Sequence, residues 1–264
     1  LAPGTVRFSA SPEPSGSTVL RMEASANLRE VNWITRRMIK RSPAAEPAMA
    51  AAVFYVALRA MRLQVEVPGT QDPRRHPAGT PSPPGPQVLE ASRLGRLSGP
   101  KAPALLAAVS SRTDGRLAEV QVLASARLAP GAVAALANQP RTWQALPGWG
   151  TVTTLKPGKC KGATCWEVDS SLPLLDLDAI WRVESAPWRA LAVDGDCEGA
   201  VMGLDVFPGK SAASAVVLST YPRLEKVGYV ARRSIESEPL LEHGLALGLG
   251  LIDAFGLVQA LDGR

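Results

Sequence analysis

VQVLASARLAPGAVAALANQPRTWQALPGWGTV, Val120 to Val152, decides how this chain is read. Its first part continues RLAEVQVLASARLA, which is strand-like. Pro130 then opens PGAVAALANQP, with Val133, Leu136 and Ala137 at helical spacing and proline in the first turn, where no amide is needed. RTWQALPGWG follows as a second short helix that stops at Pro147-Gly148, and the chain re-enters a strand at Gly150.

Upstream, PALLAAVSS pairs in expectation with RLAEVQVLASARLA across RTDGR, where Asp114-Gly115 is a hairpin signal. Downstream, Gly150 to about Tyr221 reads as six strands: TVTTLK, ATCWEVDSS, LLDLDAIWRVES, WRALAVDG, CEGAVMGLDVFP and SAVVLSTYPR. Pro157-Gly158, Leu172-Pro173, Ala186-Pro187, Gly195-Asp196 and Pro208-Gly209 separate them. Within the second, Cys165, Glu167 and Asp169 alternate with Trp166 and Val168, the period of a strand with one buried face. A long apolar helix follows Pro239. The unit is therefore strand, two short helices, six antiparallel strands and a long helix, in the α+β class. Gly244, Gly248, Gly250 and Gly256 each cost that helix roughly 1 kcal/mol relative to alanine. They imply close backbone approach, or room left for something else.

Part of this unit is written twice. VNWITRRMIKRSP from Val31 aligns without gaps on VGYVARRSIESEP from Val227, at an offset of 196. Leu28, Val31, Arg36, Arg37, Ile39 and Pro43 meet identical residues, where composition alone gives about one match. Glu46 meets Glu242 and Pro12 meets Pro208. Such a period is too long for a solenoid and implies two copies of a domain. The division expected is 1–67, the C-terminal part of a first copy lacking its N-terminal portion; 68–103, a Pro/Gly-rich linker; and 104–264, a complete second copy. VLEASRLGRL, 88–97, is expected as a short helix leading into that copy. Residues 1–65 are expected to pack on the second copy or to be unstable alone, since a strand pair with one helix buries little.

Net charge is +5, and the one compact basic run, Arg36, Arg37, Lys40 and Arg41, reads as a solvated element end. No nucleic-acid partner is expected. Leu240 to Leu261 is long enough to span a membrane. It carries Glu242, His243 and Asp253, and its first-copy partner carries Arg59 and Arg62, so both read as core-covering helices rather than transmembrane segments. Cys160 and Cys165 lack the spacing and the second ligand pair of a zinc site. They sit at a hairpin turn, either as free thiols or as a disulfide. The compartment, bacterial cytoplasm or periplasm, is left open, a disulfide favouring the latter.

The strand–helix–helix–strand opening quoted above, the strand series and the closing EPLLEHGLALGLGLIDAFGLVQAL together resemble the START-like (SRPBCC) superfamily, in particular its polyketide cyclase/dehydrase and lipid-transport branch. The resemblance covers 104–262 and, in the first copy, the last two strands and helix. It implies a helix-grip fold, a curved antiparallel sheet of about seven strands around the C-terminal helix, with a hydrophobic cavity between them. The partners implied are an apolar small molecule (a lipid, quinone or polyketide-like compound) and, transiently, a membrane surface. No cofactor or metal is expected.

Trp149, Trp166, Val168, Trp181, Val183, Leu249, Ile252 and Phe255 are the residues expected to line that cavity. Ordinary core filling is the competing reading of the same side chains. Trp143 and Trp188 also lie in the second copy. Catalysis has little to build on. His76 lies in the linker, and His243, opening the closing helix, is expected to face solvent. Asp176 and Asp178 share one strand face and, like Asp205 and Asp253, read as solvated polar positions; turned inward, one could serve as a general base. No G-x-S-x-G elbow is present, GKS at Gly209 lacks the rest of a phosphate loop, and GLGLID at Gly248 lies inside a helix. The function expected is non-enzymatic binding or carriage of an apolar molecule. The alternatives are a cyclase or dehydratase using a pocket carboxylate, and an interaction module whose core is filled by its own side chains.

Overall fold

The computed structural model describes residues 4–12, 14, 18–26, 48, 52, 55–56, 97–99, 102–111, 117–144, 146, 149–156, 160, 163–172, 175–209, 213–223, 226–237 and 239–263. Several expected features lie outside these residues: Val31–Pro43, the linker up to residue 96 with the helix expected there, the turn at Asp114-Gly115, and residues 57–67.

The strands are β1 (Gly4–Pro12), β2 (Thr18–Ala26), β3 (Leu97–Gly99), β4 (Ala102–Ser111), β5 (Leu117–Ala126), β6 (Thr151–Thr154), β7 (Thr164–Leu172), β8 (Leu175–Ser185), β9 (Trp188–Gly195), β10 (Val201–Pro208) and β11 (Ser214–Tyr221). The helices are α1 (Pro130–Ala137), α2 (Pro140–Gln144), α3 (Tyr229–Ser237) and α4 (Pro239–Leu261). β3 to β11 form one antiparallel sheet in the order β3-β4-β5-β11-β10-β9-β8-β7-β6. β1 and β2 form a separate two-stranded sheet.

β5, the six strands from β6 to β11, and α4 make the helix-grip, with α1 and α2 between β5 and β6. β3 and β4 extend its sheet beyond β5, and β3 falls inside the stretch expected to be linker. α4 lies along the sheet. At Gly250 a Cβ would stand 3.3 Å from Val120 Cγ1 and 3.6 Å from Val122 Cγ2. A larger residue there would hold the helix away from β5. The apolar stretch Glu242–Leu261, long enough by length and composition to cross a membrane, is thus a core helix with over half its length buried.

The strand register fixes which side chains face α4. Val120, Val122 and Ala124 of β5 line up with Val216 and Leu218 of β11, and Leu218 with Leu204 and Trp188. On β7, Trp166, Val168 and Ser170 are buried on this inner face while Glu167 and Asp169 are exposed on the outer one. These inner-face residues and α4 belong to one contiguous core, which also takes in Ala48 and Tyr55.

Three sequence expectations need correction. His243 is fully buried, its Nδ1 2.9 Å from the Tyr55 hydroxyl, because helical residues of the first 60 cover the start of α4. Asp205 is not a solvated strand residue. The Arg189 guanidinium donates to both its oxygens at 2.8 and 3.0 Å, and the pair is largely shielded. Asp253 is also buried, within α4. Asp178 does face outward and is exposed.

Candidate functional site

The inner face at the β7–β9 end is a nest of five tryptophans. Local chemistry places each of them. α1 starts at Pro130 and ends near Asn138; the Trp143 indole N–H then donates to Ala137 O at 2.7 Å, and Thr142 Oγ1 donates to Leu136 O at 2.8 Å. These bonds fold α2 back under α1 and aim Trp143 at the sheet. Gly150 turns the chain into β6 at φ +52°, where a Cβ would stand 2.1 Å from Asp169 O. Only glycine allows that approach, and it brings Trp149 down over β7 and β8.

Trp166 and Trp181 are direct cross-strand partners on β7 and β8, and Trp188 begins β9. Trp143 and Trp188 stack with ring centroids 4.1 Å apart and planes 13° apart. Trp149 stands 4.8 Å from Trp143, 5.6 Å from Trp181 and 6.4 Å from both Trp166 and Trp188. Such spacings put the rings in direct contact.

Of the residues expected to line a cavity, Trp149, Trp166, Val168, Trp181 and Val183 are buried on this inner face, and Ile252 and Phe255 are buried on α4 in the same core. Leu249, on α4, is only half-buried. Sequence reasoning did not select Trp188, Trp143 or Ser170. The last could have been found by continuing the alternation of Trp166 and Val168 one step.

Two unpartnered polar atoms lie on this inner face. The Trp188 indole N–H and the Ser170 hydroxyl are buried, with 3% and 2% of their residues exposed, and neither has a hydrogen-bond partner among the described residues. An unsatisfied buried donor costs about 1–3 kcal/mol, so such groups call for an explanation.

The outer face differs. Arg189, Gly203, Ser219 and Gln121 stand side by side across β9, β10, β11 and β5, next to a row holding Tyr221 and Glu119. Gln121 donates to Glu119 Oε1 at 2.7 Å. Burial raises the Tyr221 hydroxyl's pKa far above the phenol range, the neighbouring Glu119 carboxylate adding to it, so the phenol keeps its proton. Farther along, Thr151, Thr153, Glu167, Asp169, Asp178 and Asp194 border an open groove of about 340 Å³. Among the described residues no group of three or more His, Cys, Asp or Glu is arranged to hold a metal ion. A disulfide joins Cys160, in the turn before β7, to Cys165 within β7.

No family model and no curated protein matches the chain. Among solved structures it is similar to a START superfamily protein from Mycobacterium smegmatis, at 10% identity and TM-score 0.35 over 50% of this chain and 94% of that one. It is also similar to the Zhui aromatase/cyclase from Streptomyces sp. R1128, at 12% identity and TM-score 0.36 over 53% of this chain and 94% of that one. A third, TTHA0849 from Thermus thermophilus, has 14% identity and TM-score 0.41 over 54% of this chain and 96% of that one.

Proposed function

We propose that this protein binds and carries an apolar small molecule between the inner face of the sheet and α4, without transforming it. The observation that carries this reading is the pair of buried polar atoms unpartnered among the described residues, Trp188 Nε1 and Ser170 Oγ, on the inner face of the sheet at the tryptophan nest. A lipid, quinone or polyketide-like ligand has an apolar body for the indoles and an oxygen that can accept from a buried N–H. Binding would thus satisfy groups the free protein leaves unpaired. The carboxylates of the sheet support carriage over chemistry: Glu119, Glu167, Asp169, Asp178 and Asp205 all belong to the outer face. A cyclisation or dehydration would have to take its base from α4, where Glu242 and Asp253 are buried.

Native mass spectrometry of the whole chain as expressed, with organic extraction of anything bound, tests the proposal. A stoichiometric apolar passenger is the expected result, and it identifies the ligand class. A chain that is empty and also leaves hydrophobic fluorescent probes unchanged refutes carriage. The tryptophan nest is then a filled core, and the protein an interaction module.

A further inference from the structure

We propose that the molecule carried on the inner face is neutral and two-ended: one oxygen accepts from the Trp188 indole N–H, and a second, at the far end of an apolar body, meets the Ser170 hydroxyl. The inference rests on the carriage reading above and narrows its ligand class.

Strand register sets the spacing. Ser170 stands four residues beyond Trp166 on the same face of β7, about 13 Å along the strand. The Trp188 ring lies 6.2 Å from that of Trp166 and stacks on Trp143, so its N–H belongs to the Trp166 end. Ser170 belongs to the other edge of the nest, where a Cβ on Gly150 would stand 3.0 Å from its Cα. One ligand oxygen cannot serve both groups, because a hydrogen bond spans only about 2.9 Å. Allowing one such bond at each end leaves roughly 7 Å between two ligand oxygens. Between the ends lie Val168, its β6 partner Val152 and its β8 partner Ala179, all buried and apolar. The body of the ligand is therefore apolar.

Charge decides the rest. Among the described residues Arg189 is the only buried arginine or lysine, and Asp205 holds it on the outer face. α4 contributes two buried carboxylates, Glu242 and Asp253, and a histidine whose Nδ1 is engaged by the Tyr55 hydroxyl. A carboxylate or phosphate on the ligand would be buried here with no described cation to pair with. An indole N–H is a donor only and a serine hydroxyl both donates and accepts, so a neutral carbonyl suits the first and a hydroxyl or carbonyl the second. Hydroxyketones and fused-ring quinones with oxygens at opposite ends fit these terms. Free fatty acids and phospholipid headgroups do not.

Isothermal titration calorimetry of the whole chain tests this with three probes. One is a naphthalene with an acetyl group at one end and a hydroxyl at the other. The second is the same ketone without the hydroxyl, and the third carries a carboxylate in place of the acetyl group. The hydroxyketone is expected to bind at least about tenfold more tightly than the carboxylate, and roughly three- to tenfold more tightly than the plain ketone. Ser170→Ala should erase the second difference, and Trp188→Phe should weaken both ketones alike. A carboxylate that binds as tightly as the hydroxyketone overturns neutrality. A hydroxyl advantage that is absent, or that survives Ser170→Ala, overturns the two-ended geometry. In either case carriage itself stands. Binding of none of the three overturns the inference, and carriage with it if hydrophobic fluorescent probes are also unchanged.

Discussion

Replacing Ser170 by alanine should make the ligand-free protein more stable and the ligand-bound protein weaker, two effects of opposite sign from one oxygen. Ser170 is buried on the inner face of β7 with its hydroxyl unpartnered. An unsatisfied buried hydroxyl costs about 1–3 kcal/mol, and the void left by one oxygen returns only a fraction of that. The expected net is a gain of about 1 kcal/mol, or a rise of roughly 2–4 °C in Tm for a chain of this size. The bound state behaves differently. If the hydroxyl bonds the ligand, its removal forfeits about 0.5–1.5 kcal/mol, a roughly three- to tenfold weaker Kd. Urea unfolding read by tryptophan fluorescence suits the first measurement, because the nest surrounds the mutated strand; the slope against urea should not change. Titration of the extracted ligand gives the second. A loss of stability beyond about 1 kcal/mol would mean that the hydroxyl is satisfied in the free protein, and the idea of an open polar valence inside the grip would be refuted.

Asp205→Ala should cost about 3–5 kcal/mol in urea unfolding, because it strands the shielded Arg189 guanidinium. Arg189→Met with Asp205→Leu should cost far less, and equal losses would show that the charge pair is not the cause. Burial, with a smaller contribution from the Asp196 charge, pushes the Cys197 thiol up to about 11. At pH 8 its alkylation should therefore run roughly a hundredfold slower than that of a thiol at 9.0, rising as pH approaches 11; labelling at the ordinary rate contradicts this. Gly250→Leu should destabilise by about 1–3 kcal/mol, because its Cβ already meets Val120 at 3.3 Å; an unchanged Tm would place α4 farther from the sheet.

The elements that local chemistry controls were legible. All six strands from β6 to β11 fall between the turn pairs read from sequence, α1 begins at Pro130, and α4 begins at Pro239. The inner-face position of Trp166 on β7 followed from alternation. What the sequence hid was burial imposed from a distance. His243 is covered by Tyr55, 188 residues away, and no local pattern announces that contact. Asp205 alternates like a solvent-facing residue, but the β9–β10 register brings Arg189 across Gly203 to meet it. β3 lay within a Pro/Gly-rich stretch and could be assigned only through its pairing with β4.

The outer face supplies the control for the inner one. It also buries polar atoms without partners among the described residues, Gln121 Oε1 and Ser219 Oγ, which are cross-strand neighbours. Their surroundings differ from those of Ser170. Glu119, Arg189 and Asp205 stand beside them, so the atoms around this pair are charged, where an apolar ligand finds no apolar surface to bury against. The Tyr221 hydroxyl, held protonated by burial and by Glu119, is moved away from any useful acid–base range. This face therefore reads as a structural polar layer. Ser219→Ala should raise stability by about 1 kcal/mol, as Ser170→Ala does, because both remove an unpartnered buried hydroxyl. Only the inner-face substitution should weaken the ligand. If Ser219→Ala weakens binding as much as Ser170→Ala, the ligand does not discriminate between the faces, and the assignment of carriage to the α4 side is wrong.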